Sequence, residues 1–346
     1  MSSKKILILG PDFFNFVSAA DEAFSALGCQ TYTLPYPDFS FLQKCVMKFR
    51  CKSINTGIER KHKSIYAANI KKIFQQNKPG LVFIMNADFI DSETLDYLCN
   101  HAVVTIWLFD NISNLPGIID NLKHCDHIFS FDKNDIKILE DNGVKASFLP
   151  QACDVKTYFP IAGGKKDIDI LFVGNLYYYP NRQKTIQKII EAFPERKIKV
   201  IGEYKPWYKD LLRCLFRERR DIYTNRNVSP EDVNKYYNRS RIVLNIHREY
   251  QKDGANPKFF EICGSGSYQI SDSNPYIESV FPHGEIGLFK TEDELIEAIS
   301  DALTHDKSSN AKAAHEIVVQ QHNYESRMKQ VLQSISYLQI HHFGEK

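Results

Sequence analysis

Residues 245–272, NIHREYQKDGANPKFFEICGSGSYQISD, read as the end of one strand, a polar loop, a short helix and a second strand. Asn256-Pro257 opens the helix, because Asn is a favoured N-cap and Pro fits the first helical position, where no N–H is needed. The helix reads PKFFEIC and stops at Gly264. Strand, helix and strand in succession form the repeating unit of a parallel α/β sheet.

The same alternation runs outward in both directions. In the first half the strand candidates are 4–10, 30–34, 80–86, 102–110, 127–132 and 146–150; in the second they are 169–174, 197–202, 221–225, 241–247, 267–272 and 287–290. Between them lie runs of helical spacing, such as Val17, Ala20, Phe24 and Leu27. The break is TYFPIAGGKKDID, residues 157–169, whose Pro, paired Gly and charges read as a linker. The expected fold class is α/β, with two doubly wound Rossmann-like domains facing a cleft, and 346 residues suit two domains. They are placed at 1–156 and 168–323, followed by a last helix and tail over 324–346. Ligands of such sheets bind beyond the carboxyl ends of the strands, so the residues just after each strand are the candidates for chemistry.

Composition excludes several classes. The longest apolar run, AVVTIWLF at 102–109, is too short to span a bilayer as a helix. No small-residue cleavage site follows MSSKKILILG, so export is not expected. The eight cysteines contain no C-x-x-C pair, which leaves no zinc or redox motif and suggests reduced thiols in a cytoplasm. A net charge of +2 argues against a nucleic-acid partner. Residues 41–78 are different: ten basic side chains stand against Glu59 alone, a local charge of +9. With Phe41, Leu42, Val46, Met47 and Phe49, that window suits an anionic membrane surface or an acidic acceptor, the plain alternative being a solvated face. Residues 207–219, WYKDLLRCLFRER, read as a basic amphipathic helix that packs on its own sheet, the alternative being a membrane surface.

The helix opening at Asn256 offers free N–H groups and about half a positive charge, which suits a diphosphate. Glu261, one turn in, is placed to receive ribose hydroxyls, and Asp253 sits in the loop ahead. The alternative is a plain cap with Glu261 facing solvent. After the strand at 169–174, Gly174-Asn175 permits close backbone approach, and Arg182 and Lys184 add donors in the next helix. Asp12 and Asp110 each end a strand and are candidates to accept a proton from an incoming hydroxyl, or else cap the helix that follows. Asp167-Ile168-Asp169 has the D-x-D pattern of metal-binding transferases, but precedes a strand and reads as linker. No spacing resembles a metal ligand set.

These residues resemble a family: glycosyltransferases of the GT-B fold, group-one type, in the spore-maturation-protein-like branch. The likeness rests on Asn256-Pro257-Lys258-Phe259-Phe260-Glu261 with Ile262-Cys263-Gly264, on Leu244-Asn245-Ile246-His247-Arg248 ahead of it, and on His322-Asn323-Tyr324 with Arg327. Trp107-Leu108-Phe109-Asp110 is similar to the family's W-x-x-D strand end near the acceptor. The resemblance implies a donor site of Gly174, Asn175, Arg182, Lys184, His247, Arg248, Asn256, Lys258 and Glu261. Within it, Arg182 and Lys184 would hold the diphosphate and Glu261 the ribose, while Asp253 would lie near the transferred sugar. It also implies a last helix crossing back to the first domain. The implied activity moves a sugar from a nucleoside-diphosphate sugar to a hydroxyl of a glycan or glycolipid acceptor, with retention and without metal or other cofactor. Asp110 or Asp12 would be the base of an inverting reaction. The expected location is cytoplasmic, peripheral at the inner face of the membrane. The alternatives are a nucleotide-sugar epimerase on the same fold and a non-catalytic nucleotide-sugar-binding protein of envelope assembly.

Overall fold

The computed structural model of the chain describes residues 4–12, 14–40, 43, 52–115, 117–203, 222–224 and 228–342. They form two compact units: residues up to Pro150 together with those from Tyr324 onward, and Gln151–Asn323.

In the first unit, β1 (Lys5–Gly10), β2 (Gln30–Pro35), β3 (Leu81–Met85), β4 (Val103–Leu108), β5 (His127–Ser130) and β6 (Ala146–Phe148) pair in the order β2-β1-β3-β4-β5-β6. Every pairing is parallel. Parallel neighbours need crossovers, and α1 (Phe16–Ala26), α2 (Lys52–Asn77), α3 (Ser92–Cys99), α4 (Ile118–Leu122) and α5 (Lys133–Asp141) lie in those connections. A parallel sheet is covered on both faces, which is why its central strands are continuous apolar runs: LVFIM of β3 is buried at every position.

The second unit repeats the plan. Its strands are β7 (Ile168–Val173), β8 (Ile198–Ile201), β9 (Tyr223–Thr224), β10 (Ser240–Asn245), β11 (Gln269–Asp272) and β12 (Gly287–Phe289), in the order β12-β11-β10-β7-β8-β9. All pairings are again parallel. Its helices are α6 (Pro180–Ala192), α7 (Pro230–Asn238), α8 (Pro257–Gly264), α9 (Pro275–Val280), α10 (Glu292–Thr304) and α11 (Ser308–Gln321). The strand order reverses between β7 and β10. Their two crossovers leave the sheet in opposite directions there, opening the crevice where doubly wound sheets bind ligands. Each of the twelve strand runs expected from sequence contains a strand.

The stretch 157–169 is not a free linker. Asn234 and Asn238 of α7 donate their amides to the Phe159 carbonyl, both at 3.1 Å, and the Asn238 Oδ1 accepts the Ile161 N–H at 2.7 Å. These bonds tie the stretch to the second unit, and the first unit ends at Pro150. The D-x-D pair is also structural: Arg239 grips Asp167 with two bonds of 2.9 and 2.6 Å, and Asp169 accepts the Lys197 N–H at 2.9 Å. Trp107 is wholly buried and donates its indole N–H to the Leu149 carbonyl at 3.0 Å, so it serves the core of the first unit. The last helix, α12 (Tyr324–His342), packs on α1, and its buried Arg327 donates to the Pro150 carbonyl at 2.8 Å.

Among the described residues no helix is long and apolar enough to cross a membrane. Residues 207–219, 41, 42 and 44–51, and the side chains of His341 and His342, lie outside the description. Within the basic window residues 52–77 form α2, where Lys63 pairs with Glu59 at 3.2 Å and Lys71 with Glu93 at 2.8 Å.

Where β7 and β8 leave the sheet their backbones nearly touch. Gly202 holds φ at +134°, and a Cβ there would collide with the Gly174 carbonyl. Gly202→Ala is therefore expected to lower unfolding free energy by roughly 2–3 kcal/mol. Urea unfolding checks this, and an unchanged midpoint contradicts it.

Candidate functional site

The crevice between β7 and β10 is assembled from four segments: the turn after β7, the loop after β10, the start of α8 and the end of β11. Asn256 fixes the third of these. Its Oδ1 accepts the Phe259 N–H at 3.1 Å, capping α8, while its Nδ2 donates to Asn245 Oδ1 on β10 at 3.0 Å. Pro257 occupies the first helical position, as the sequence indicates. The free amides expected at this tip are few, since Pro257 has no N–H and the cap takes that of Phe259. Positive charge here comes mainly from side chains.

Three cations supply it. Arg182, from the first turn of α6, lies over the Tyr179 ring at 4.7 Å, and its Nη1 reaches the Asn175 carbonyl at 3.5 Å. Arg248, from the loop after β10, lies over the same ring at 5.4 Å and donates to the Tyr250 hydroxyl at 2.7 Å. Lys258 follows the Asn-Pro cap on α8. Burial lowers the proton affinity of both Arg182 and Lys258; Arg248 lowers that of Arg182 further, while at Lys258 the charge of Glu261 opposes burial and those of Arg182 and Arg248 add to it. Arg182 Nε and Asn175 Oδ1 are buried without a hydrogen-bond partner among the described residues. A cationic site with an unused donor is prepared for an anion.

Glu261 does not face solvent. It is 7% exposed, and burial pushes its carboxyl up to about 7, opposed by Lys258 and by a hydrogen bond from Tyr158. Beside it the Tyr237 hydroxyl is buried and unpartnered among the described residues. A second carboxylate, Asp272 at the end of β11, accepts both the backbone N–H of His247, at 2.9 Å, and its Nδ1–H, at 2.7 Å. Burial alone would raise Asp272; the charge and hydrogen bonds of His247 outweigh it and hold the carboxyl below its ordinary value.

Of the residues singled out from sequence, Arg182, Arg248 and Lys258 come together, with Asn175, His247, Asn256 and Glu261 around them. Gly174 is in the turn as expected, where an added Cβ would meet the Phe172 ring at 2.9 Å. Lys184 is exposed on α6, and Lys258 lies near Arg182 and Arg248. Asp253 is half-buried in the loop before α8. In the first unit Asp12 spends its two oxygens on the Ser18 N–H and hydroxyl, at 3.0 and 2.7 Å. Asp110 Oδ1 takes the Asn111 N–H at 3.0 Å and the Asn114 amide at 2.9 Å. Both carboxylates organise turns. Among the described residues no cluster of His, Cys, Asp or Glu could hold a metal ion.

Sequence reading missed Tyr179, Tyr250, Asp272, Tyr158 and Tyr237. Asp272 carried a signal, because it closes a strand at its carboxyl end. Tyr158 lay in the run read as linker, and nothing local pointed it at Glu261.

Comparison with known proteins bears on the fold and on the sequence of the second unit. The Spore protein CgeB of Bacillus subtilis is 22% identical over 224 residues, covering 60% of this chain and 69% of that protein. A sucrose-phosphate synthase from Thermosynechococcus elongatus superposes with a TM-score of 0.69 at 12% identity, over 97% of this chain and 99% of that one. Anabaena HepE, solved with UDP-glucose, gives 0.65 at 12% identity, over 96% and 99%. Residues 182–333 match the family model described as "Glycosyl transferase-like", so that stretch is glycosyl transferase-like by sequence, and the two units carry the paired α/β sheets of GT-B glycosyltransferases.

Proposed function

We propose that this chain transfers a sugar from a nucleoside-diphosphate sugar to a hydroxyl of a glycan or glycolipid acceptor, and that its second unit holds the donor. The observation that carries this is the gathering of Arg182, Arg248 and Lys258 at the β7–β10 crevice, beside a buried Glu261. Breaking the bond to the sugar leaves negative charge on the diphosphate. Three fixed cations stabilise that charge without reorganising, which is the service a divalent metal renders elsewhere. Metal independence follows from that reading. Glu261, held behind Lys258, accepts the ribose hydroxyls, and Asp253 lies toward the transferred sugar.

Asp12 and Asp110 are engaged in turns, which favours retention, with the leaving phosphate taking the proton of the acceptor hydroxyl. HepE, a structural neighbour, was solved with UDP-glucose, which makes UDP-sugars the first donors to test. The exposed Arg60, Lys61 and Lys72 of α2, with Lys78 just past its end, suit an anionic, cytoplasm-facing membrane surface, where a glycolipid acceptor would lie.

Thermal unfolding with UDP-, GDP-, dTDP- and ADP-glucose tests the donor. One of them at a hundredfold excess over its Kd should stabilise the protein by about 2.7 kcal/mol, raising Tm by a few degrees. Arg182→Ala should lose the shift, and EDTA should leave it intact. No shift with any donor, or one abolished by EDTA, contradicts the reading. Free altered sugar without acceptor would indicate an epimerase; binding without transfer or hydrolysis would indicate a binding protein.

Glu261 supplies a pH test. Its folded-state value of about 7 lies above the ordinary 4.5, so the folded chain holds a proton that the unfolded chain has lost. The resulting cost is absent below about pH 4.5, grows as pH rises, and is complete above about 7, on the order of 3 kcal/mol. Glu261→Gln should therefore gain stability relative to wild type between pH 5 and 8. Ribose hydroxyls favour the ionised carboxylate, so UDP-glucose affinity should rise across this range in wild type and stay flat in the Gln variant. Urea unfolding at several pH values reads the stability and titration calorimetry the affinity, and parallel profiles of wild type and variant would refute the assignment.

A further inference from the structure

The second unit holds another cavity, of about 590 Å³, at the opposite edge of its sheet from the crevice. Lys166 just before β7, Arg241 at the start of β10 and Tyr268 just before β11 line it, together with the turn joining α10 to α11 and one face of α11. Most of its charges are already paired. Asp301 receives Lys307 at 2.6 Å and His305 at 2.7 Å. Arg241 donates to the Leu303 carbonyl at 2.8 Å and lies 3.6 Å from Asp169. Asp306 spends its oxygens on the Ser308 N–H and hydroxyl, at 3.0 and 2.7 Å. Two ammonium groups are left over. Lys312 has only Glu316, at 3.9 Å on an exposed stretch of α11, and Lys166 has no hydrogen bond or ion pair among the described residues. Although Lys166 as a whole is exposed, burial around its ammonium lowers its proton affinity, with no acidic neighbour to offset it.

Two more side chains on the wall have polar atoms to spare. Tyr268 is 8% exposed, yet its hydroxyl has no hydrogen-bond partner among the described residues. A hydroxyl so nearly buried is normally satisfied, so an unused one on a cavity wall points to an occupant. His315 donates its Nδ1–H to the Gly264 carbonyl at 2.8 Å, which leaves the lone pair of the neutral ring on Nε2. The wall thus offers two ammonium groups, one O–H donor and one acceptor, beside the amino-terminal, positive end of α11, whose N-cap residue Lys307 makes no side-chain cap. Its volume is that of a small-molecule site. A carboxylate is held best by the planar fork of an arginine, but Arg241 is occupied by Leu303 and Asp169. Point charges and a rotatable hydroxyl suit a tetrahedral anion, whose terminal oxygens accept from several directions. We infer that this cavity is a second small-molecule site and that it takes a phosphate monoester of a polyhydroxylated, sugar-like body. Lys166, Lys312 and the Tyr268 hydroxyl receive the phosphate, and His315 Nε2 accepts a hydroxyl of the body. The inference uses no residue of the donor crevice and does not depend on the donor reading.

The test is titration calorimetry of the full-length protein, in a phosphate-free buffer, with inorganic phosphate, glucose 6-phosphate, glucuronate and glucose. Wild type should bind phosphate and, more tightly, glucose 6-phosphate; glucuronate should be about tenfold weaker than the ester, and glucose should give no heat. Lys166→Ala and Lys312→Ala replace exposed residues and should leave the urea midpoint unchanged while weakening glucose 6-phosphate about fivefold each. Tyr268→Phe keeps the ring and should weaken it a few-fold. Arg182→Ala, in the crevice at the other edge, should leave it unchanged. If neither phosphate nor its glucose ester binds, or if binding is lost with Arg182 and not with the two lysines, the inference is overturned. Glucuronate binding as tightly as glucose 6-phosphate overturns the assignment to phosphate.

Discussion

One side chain, Asn256, joins the sheet of the second unit to the helix that opens its site. Its carbonyl oxygen caps α8 while its amide holds Asn245 at the end of β10. A cap of this kind is worth about 1 kcal/mol, but its larger consequence is geometric. Because both ends are fixed, Lys258 and Glu261 project from α8 at set positions relative to the loop that carries His247 and Arg248. The cations of α8 and of that loop meet only if this link holds.

Bringing three cations and a carboxylate into partly buried positions costs free energy, and the surrounding residues show how the cost is contained. Two of the charges lie over the Tyr179 ring. Lys258 and the Tyr158 hydroxyl temper the buried Glu261, and His247 holds Asp272 ionised. Among the described residues Arg182 Nε remains an unsatisfied donor and Asn175 Oδ1 an unsatisfied acceptor. Unsatisfied polar atoms beside gathered cations are what a site completed by a ligand would show.

Much of this was legible in the residues. Continuous apolar runs such as LVFIM announce strands buried on both faces, and Asn-Pro before PKFFEIC marks a helix start, because both rest on local geometry and spacing. Arg182, Arg248, Lys258 and Glu261 were legible as candidates by their place after strands or within the Asn-Pro block. That Lys258 rather than Lys184 stands beside Arg182 was not legible, since Lys258 arrives from seventy-odd residues away along the chain. The run 157–169 misled for a similar reason: its Pro and Gly pair look like a linker, while the asparagines that bind it lie on α7.

By itself the sequence determined the twelve strands, their parallel character and the residues able to carry charge, since these follow from periodicity and side-chain chemistry within a few neighbouring positions. Only the tertiary structure decided that Arg182 and Arg248 share one aromatic face, that Glu261 is buried against Tyr158, and that Asp272 belongs to His247. Those are contacts between segments far apart along the chain. Strand order and crossover direction set which segments meet, and local pattern carries no record of that choice.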